Sequence, residues 1–112
     1  MAALDKLQPF MRRTAKEFVA WLRAKGWQPV VTSVLRSYAT QKRLYRRAQS
    51  GRSPYPAARP GTSMHEFGRA FDVDLVLPEP QKAQALAEAG AMWERVGGRW
   101  GGRFRDPIHF EA

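Results

Sequence analysis

Two histidines, His65 and His109, are the only ones in this 112-residue chain, and each has carboxylates close by. Asp72 and Asp74 follow His65 by seven and nine positions; Asp106 precedes His109 by three and Glu111 follows it by two. The stretch PGTSMHEFGRAFDVD, Pro60 to Asp74, opens as a zinc-protease helix would, with His65 and Glu66 adjacent. An H-E-x-x-H helix needs a second histidine at position 69, which holds Arg69. Gly68 and the β-branched or aromatic residues after it also argue against a helix there. In an extended AFDVDL segment, side chains alternate, so Asp72 and Asp74 fall on one face. Two carboxylates on one face of a buried strand call for positive charge opposite them. A zinc ion with one open water position satisfies that need with three His/Asp/Glu ligands. Arginine pairing accounts for the same carboxylates without a metal, and either aspartate fits an ordinary strand-end role held by Arg69 or a backbone amide.

Composition narrows the choices. There is no cysteine, so disulfides are excluded and a metal site must use His, Asp, Glu or water. Nineteen Lys and Arg, 14 of them Arg, against ten Asp and Glu give a formal charge of +9. Such a balance favours polyanionic partners: nucleic acid, anionic lipid or an acidic wall polymer. The arginines are spread along the chain rather than blocked, which speaks against a specific nucleic-acid site. No apolar run has membrane-spanning length, and the first residues lack the continuous apolar region of a signal peptide. The expectation is a cytoplasmically made monomer, not inserted in membranes, that reaches any outside target after release.

The elements that must position these residues follow from periodicity. Leu4, Leu7, Met11, Phe18 and Leu22 form an apolar helical stripe closed by Gly26. Gln28 to Leu35 reads as a β-branched strand. A second helix starts near Ser37 or Thr40 and stops at Gly51, and Gly51 to Ser63 is a Pro/Gly-rich loop. Arg69 to Leu77 reads as a strand. Pro78 to Val96 reads as a helix with Ala83, Leu86, Trp93 and Val96 inward, although Gly90 weakens its middle. A Gly-rich turn region then leads to a last strand, PIHFE. Without a βαβ rhythm the class is α+β: one domain over residues 1–112, a small antiparallel sheet with about three helices. Trp93, Trp100 and Phe104 are expected near a cleft or in the core, and Tyr38, Tyr45 and Tyr55 half-buried at the surface.

Three segments, SVLRS…Q, PGTSMHEFGRAFDVD and WGGRFRDPIHFE, together resemble the zinc peptidases of bacterial cell-wall metabolism. That group comprises the D-Ala-D-Ala carboxypeptidases and the phage L-alanyl-D-glutamate endopeptidases, which share a Hedgehog-like α+β fold. Its S-x-H-x-x-G-x-A-x-D element matches as Ser63, His65, Gly68, Ala70 and Asp72, and its closing D-x-x-H-F-E as Asp106, His109, Phe110 and Glu111. The resemblance runs from about Val31 to Glu111. It implies His65, Asp72 and His109 as zinc ligands, choosing Asp72 over Asp74. It also implies Asp106 as general acid/base and Arg36 as the cation that steadies the substrate carbonyl. Glu66 becomes neither ligand nor base, and Ser63 shapes the loop or bonds substrate.

The implied substrate is a peptide bond in the peptidoglycan stem. L-Ala–D-Glu endopeptidase, an endolysin-like phage lysis activity, is the first expectation because small forms without a signal resemble phage lysis enzymes. D-Ala-D-Ala carboxypeptidase is the alternative. Other classes are a non-catalytic binding relative, a basic nucleic-acid-binding protein and a zinc nuclease. The second leaves the His/Asp set unexplained, and no nuclease motif supports the third.

Overall fold

The structure is a computed structural model that describes residues 2–53 and 56–112. Its main elements are α1 (Pro9–Ala24), β1 (Pro29–Ser33), α2 (Tyr38–Gln49), β2 (Ala70–Leu75), α3 (Gln81–Arg95), β3 (Arg99–Trp100) and β4 (His109–Glu111). Short 3-10 turns occupy Ala2–Lys6, Met64–Phe67 and Gly101–Phe104. The four strands form one antiparallel sheet in the order β1-β2-β4-β3. The class is α+β, as expected.

Alternation along the strands divides the sheet into two chemical faces. Phe71, Val73 and Leu75 of β2 and Phe110 of β4 enter the core, where they meet Met11, Ala15, Phe18, Val19 and Leu22 of α1. From α3 come Ala85, Leu86, Ala89 and Trp93. Phe18 sits 5.0 Å from Phe110 and 5.1 Å from Trp93 (ring centroids), and Phe71 crosses Trp93 edge-on at 5.2 Å. The opposite face carries Asp72, Asp74, His109 and Glu111.

Several boundaries differ from the sequence expectation. Leu4 and Leu7 are buried, but they precede α1 rather than open it. Pro9 lacks an amide proton to donate and therefore fits the first helical turn, where none is required. The interruption lets Gln8 dock: its backbone N–H and its side-chain Nε2 donate to Gly68 O and Phe67 O. In α3, Ala83 and Val96 are exposed, and Ala85, Ala89 and Gly90 face inward with Leu86 and Trp93. Gly90 is there for space, because a Cβ on it would lie 2.1 Å from the Trp100 ring. That contact seats β3, a two-residue strand the sequence did not announce. Tyr38 is exposed and Tyr45 half-buried, and Tyr55 lies outside the described residues. Among the described residues no helix is long and apolar enough to cross a membrane.

Candidate metal centre

Two neighbouring strands and one turn build the site. In the β2–β4 ladder Phe71 pairs with Phe110 and Asp72 with His109. The pairing that stacks two rings in the core (5.7 Å between centroids) therefore sets Asp72 beside His109 on the other face. His65 arrives from the Met64–Phe67 turn. Ser63 caps that turn, accepting from His65 N–H, and Glu66 closes a capping box by accepting from Ser63 N–H at 3.0 Å. Glu66 also accepts from Gly61 N–H, so it fixes the approach of the loop. Gly68 ends the turn at φ 67°, and a Cβ there would crowd Lys6 O at 3.2 Å.

Three atoms converge. His65 Nε2 lies 3.0 Å from Asp72 Oδ1 and 3.2 Å from His109 Nδ1, and His109 Nδ1 lies 3.3 Å from Asp72 Oδ1. All three residues are buried. Each histidine has its other nitrogen occupied. His65 Nδ1 faces Val34 O at 2.8 Å, and a carbonyl can only accept, so the proton sits on Nδ1. His109 Nε2 donates to Glu111 Oε1 at 2.7 Å. Neutral imidazoles thus aim two lone pairs, together with a carboxylate oxygen, at one point. Metal–ligand bonds of about 2.0–2.1 Å in a tetrahedral site place ligand atoms about 3.3 Å apart, close to the edges of this triangle. The donor set fits zinc, and its outer hydrogen bonds are of the kind that orient ligating histidines.

In the metal-free pocket, positive charge is supplied by protons instead. Burial disfavours a charged His109, but hydrogen bonds to Asp72 and Glu111 outweigh it and push its pKa up to about 9. Burial likewise opposes ionisation of Asp72, yet the bonds from His109 and His65 hold it far below the usual carboxylate range. The hydrogen bond from His109 lowers Glu111 as well.

Asp72 uses its second oxygen elsewhere: Oδ2 accepts from Arg36 Nη2 at 3.0 Å. Arg36 is further held by Ser33 Oγ through Nε and by Gln41 Oε1 through Nη1. A register shift between Val31 and Ser33 in the β1–β2 ladder sets Ser33 opposite Asp72. Gln41, buried in α2, passes the chain of contacts on to Ala58 O at 2.9 Å. Asp74 stays apart, accepting from Leu75 N–H and lying 3.4 Å from Lys82.

A cleft of about 410 Å³ opens over the cluster, and Arg36, Ser63, Arg99, Phe104 and Asp106 are in its wall. Asp106 precedes the turn at Pro107–Ile108, and its backbone oxygen accepts from His109 N–H. Among the described residues nothing hydrogen-bonds its carboxylate. Burial first, then the charge of Asp72, raise its pKa, which moves it towards use as a proton acceptor near neutrality. Phe104 lies 5.6 Å from the His109 ring. Trp93 belongs to the core, and Trp100 donates from Nε1 to Pro107 O.

The structure thus brings together His65, Asp72, His109, Asp106, Arg36 and Ser63, and leaves Asp74 and Trp93 outside the cleft. Gln41 and Glu111, which the sequence offered as members of the SVLRS…Q and D-x-x-H-F-E motifs, hold Arg36 and His109.

A two-histidine, one-aspartate cluster in a cleft beside an antiparallel sheet defines the class as metallohydrolase-like. The family model described as D-alanyl-D-alanine carboxypeptidase matches residues 57–112, from the loop before the His65 turn through the last strand. The chain belongs to that family, whose members are hydrolases. Among curated proteins none matches. Among solved structures, the vancomycin-resistance D,D-pentapeptidase VanY from a VanB-type cassette, a mutant in complex with Zn(II), superposes with TM-score 0.72. It is 18% identical and covers 94% of this chain and 71% of its own, a likeness of fold. The LD-carboxypeptidase LdcB, solved in a study of peptidoglycan recognition, gives TM-score 0.64 at 25% identity. That match covers 94% of this chain and 64% of LdcB, so this chain spans less than two thirds of that neighbour.

Proposed function

We propose that this protein is a single-domain, zinc-dependent peptidase of the peptidoglycan stem peptide, working as a monomer at the cell wall after release from the cell. The convergence of His65 Nε2, Asp72 Oδ1 and His109 Nδ1 within 3.3 Å carries the reading. These three residues would hold the metal. Zinc there supplies Lewis acidity, polarising a carbonyl and making water nucleophilic at neutral pH.

The chain's own groups do the remaining work. Asp106, with its raised pKa, takes the proton of the attacking water and delivers it to the departing amine. Arg36 orients Asp72 through its hydrogen bond to Oδ2. Three of its five N–H groups are spent on Ser33, Gln41 and Asp72, leaving two for developing negative charge on the substrate. Ser63 is committed to the turn that carries His65 and shapes the cleft from there.

Of the two bonds, removal of a terminal D-alanine is the better supported. An exopeptidase needs a cation for the free carboxylate. Arg99 stands in the cleft wall, largely exposed and only 4.0 Å from Glu111, its nearest acidic partner. The family and both structural neighbours carry carboxypeptidase or pentapeptidase names. L-Ala–D-Glu cleavage, the endolysin-like alternative, rests on the sequence motifs.

Mass spectrometry of purified peptidoglycan treated with the protein, with zinc and after chelation, tests the proposal. Free D-alanine and stems shortened by one residue support carboxypeptidase action. Tetrapeptides or tripeptides that begin at D-glutamate, cut from the L-alanine left on the glycan, assign the endopeptidase reading instead. No zinc-dependent product of either kind refutes both.

A further inference from the structure

The positive charge of this chain is unevenly compensated. Residues 18–65 contain nine Arg and Lys and no Asp or Glu, whereas the remaining ten basic residues balance all ten acidic ones. Outside that stretch Arg13, Lys16, Lys82, Arg99 and Arg103 each have a carboxylate partner. Within it Lys25 pairs with Glu88 and Arg36 with Asp72. The cations of α2, Lys42, Arg43, Arg46 and Arg47, and Arg52 just beyond it are all exposed. None meets a carboxylate among the described residues. Like charges spaced three and four apart on a helix repel, so this face costs stability unless an anion covers it.

The helix also lies at the cleft. Gln41 lines it, and Arg47 shares a second cavity, of about 220 Å³, with Arg36, Asp72 and Asp106. An anionic chain lying on α2 would therefore lead into the cleft. We propose that the exposed basic face of α2 is a docking surface for the carboxylate-bearing peptidoglycan strand, which it holds while one stem enters the cleft. This rests on the function proposed above. A membrane surface suits the helix poorly. An interfacial helix needs a broad apolar face opposite its basic one, and α2 offers only Leu44, Tyr45 and Ala48 as half-buried apolar residues, beside half-buried Thr40 and buried Gln41.

The test is co-sedimentation of the full chain with purified peptidoglycan stripped of phosphate polymers, under chelation so that no bond is cut. The variant is Lys42→Gln/Arg43→Gln/Arg46→Gln. Glutamine keeps side-chain length and helix propensity, and circular dichroism checks the fold. Should the triple variant misfold, the single reversal Arg46→Glu takes its place. Wild-type binding is expected to fall as salt rises, and the variant to bind on the order of 10- to 100-fold more weakly at low salt. With zinc restored, the variant should show a raised KM on the polymer with kcat retained. Equal binding by variant and wild type overturns the proposal. So does charge-dependent binding to phosphatidylglycerol vesicles or duplex DNA with none to peptidoglycan. If the chain binds through α2 but releases no product, the docking surface stands and the peptidase reading falls. If it cleaves but binding ignores the substitutions, the reverse holds.

Discussion

The metal cluster and the outer face of α2 handle charge in opposite ways. Around His65, Asp72 and His109 almost every polar atom is buried and matched, with Val34 O, Glu111 and Arg36 each assigned to one ligand. On α2 the charges are exposed and unmatched. Burial makes an electrostatic interaction strong but demands satisfaction, and exposure leaves it weak, screened and available. The first arrangement suits one small cation at a fixed point. The second suits a long, variable anion.

The largest expected effects come from breaking the matched region. His65→Ala, Asp72→Ala and His109→Ala should each abolish stoichiometric zinc binding and reduce peptidase activity to background, by elemental analysis and wall digestion. A variant that retains both removes that residue from the ligand set.

Next comes Asp106→Asn, which keeps size and shape but cannot accept a proton. Activity should drop by about 10²–10⁴-fold with zinc content nearly unchanged, whereas Asp72→Asn should lose both together. Near-normal turnover in Asp106→Asn would move the base to Glu111, the other carboxylate in the cleft wall.

A smaller loss is expected for Arg36→Ala. Because Arg36 orients Asp72, about 10- to 100-fold should disappear from activity or zinc affinity, the range found when the partner of a ligand is removed. Isothermal titration and steady-state rates separate the two. No change in either would reduce its contacts to packing.

The mildest prediction concerns pH and sharpens the comparison. Zinc must displace a proton from His109, whose metal-free pKa is about 9, so zinc affinity should rise about tenfold per pH unit from 7 to 9 and then level off. Without metal the sign reverses. A raised histidine pKa stabilises the fold below its unfolded value of 6.5, and that contribution fades as pH climbs through about 9. The lowered pKa of Asp72 stabilises above its unfolded value of 3.8 and is lost on acidification. Chelated protein should therefore be most stable between about pH 4 and 6.5 in thermal melts. A flat profile would show that His109 and Asp72 do not change protonation on folding.

What the sequence revealed depended on how local the signal was. The stripe of α1 was legible because Met11, Phe18 and Leu22 recur at helical spacing, and the site because both histidines fall in short motifs. Pro9 moved a boundary that hydrophobicity alone had placed earlier. In α3 the inward face was misphased because Ala85 and Ala89, small and weakly apolar, outrank the exposed Val96 when packed under a sheet. Nothing local announced β3, which is held by Trp100 lying on Gly90, ten residues away. The Arg36–Asp72 bond spans 36 residues and exists only once β1 and β2 pair. The uncompensated charge was in plain view, but as missing acids rather than clustered arginines.

The ladder in which Phe71 faces Phe110 and Asp72 faces His109 acts as a parity check on the gene. A one-residue slip of β4 against β2, as a deletion in the Pro107–Ile108 turn would force, would turn His109 and Glu111 inward and Phe110 outward, so the fold and the site would fail in the same step. A slip of two residues preserves the alternation. Frame-preserving length changes should therefore accumulate at the surface loop of residues 51–63 and be absent, or come in pairs of codons, between Asp106 and Glu111.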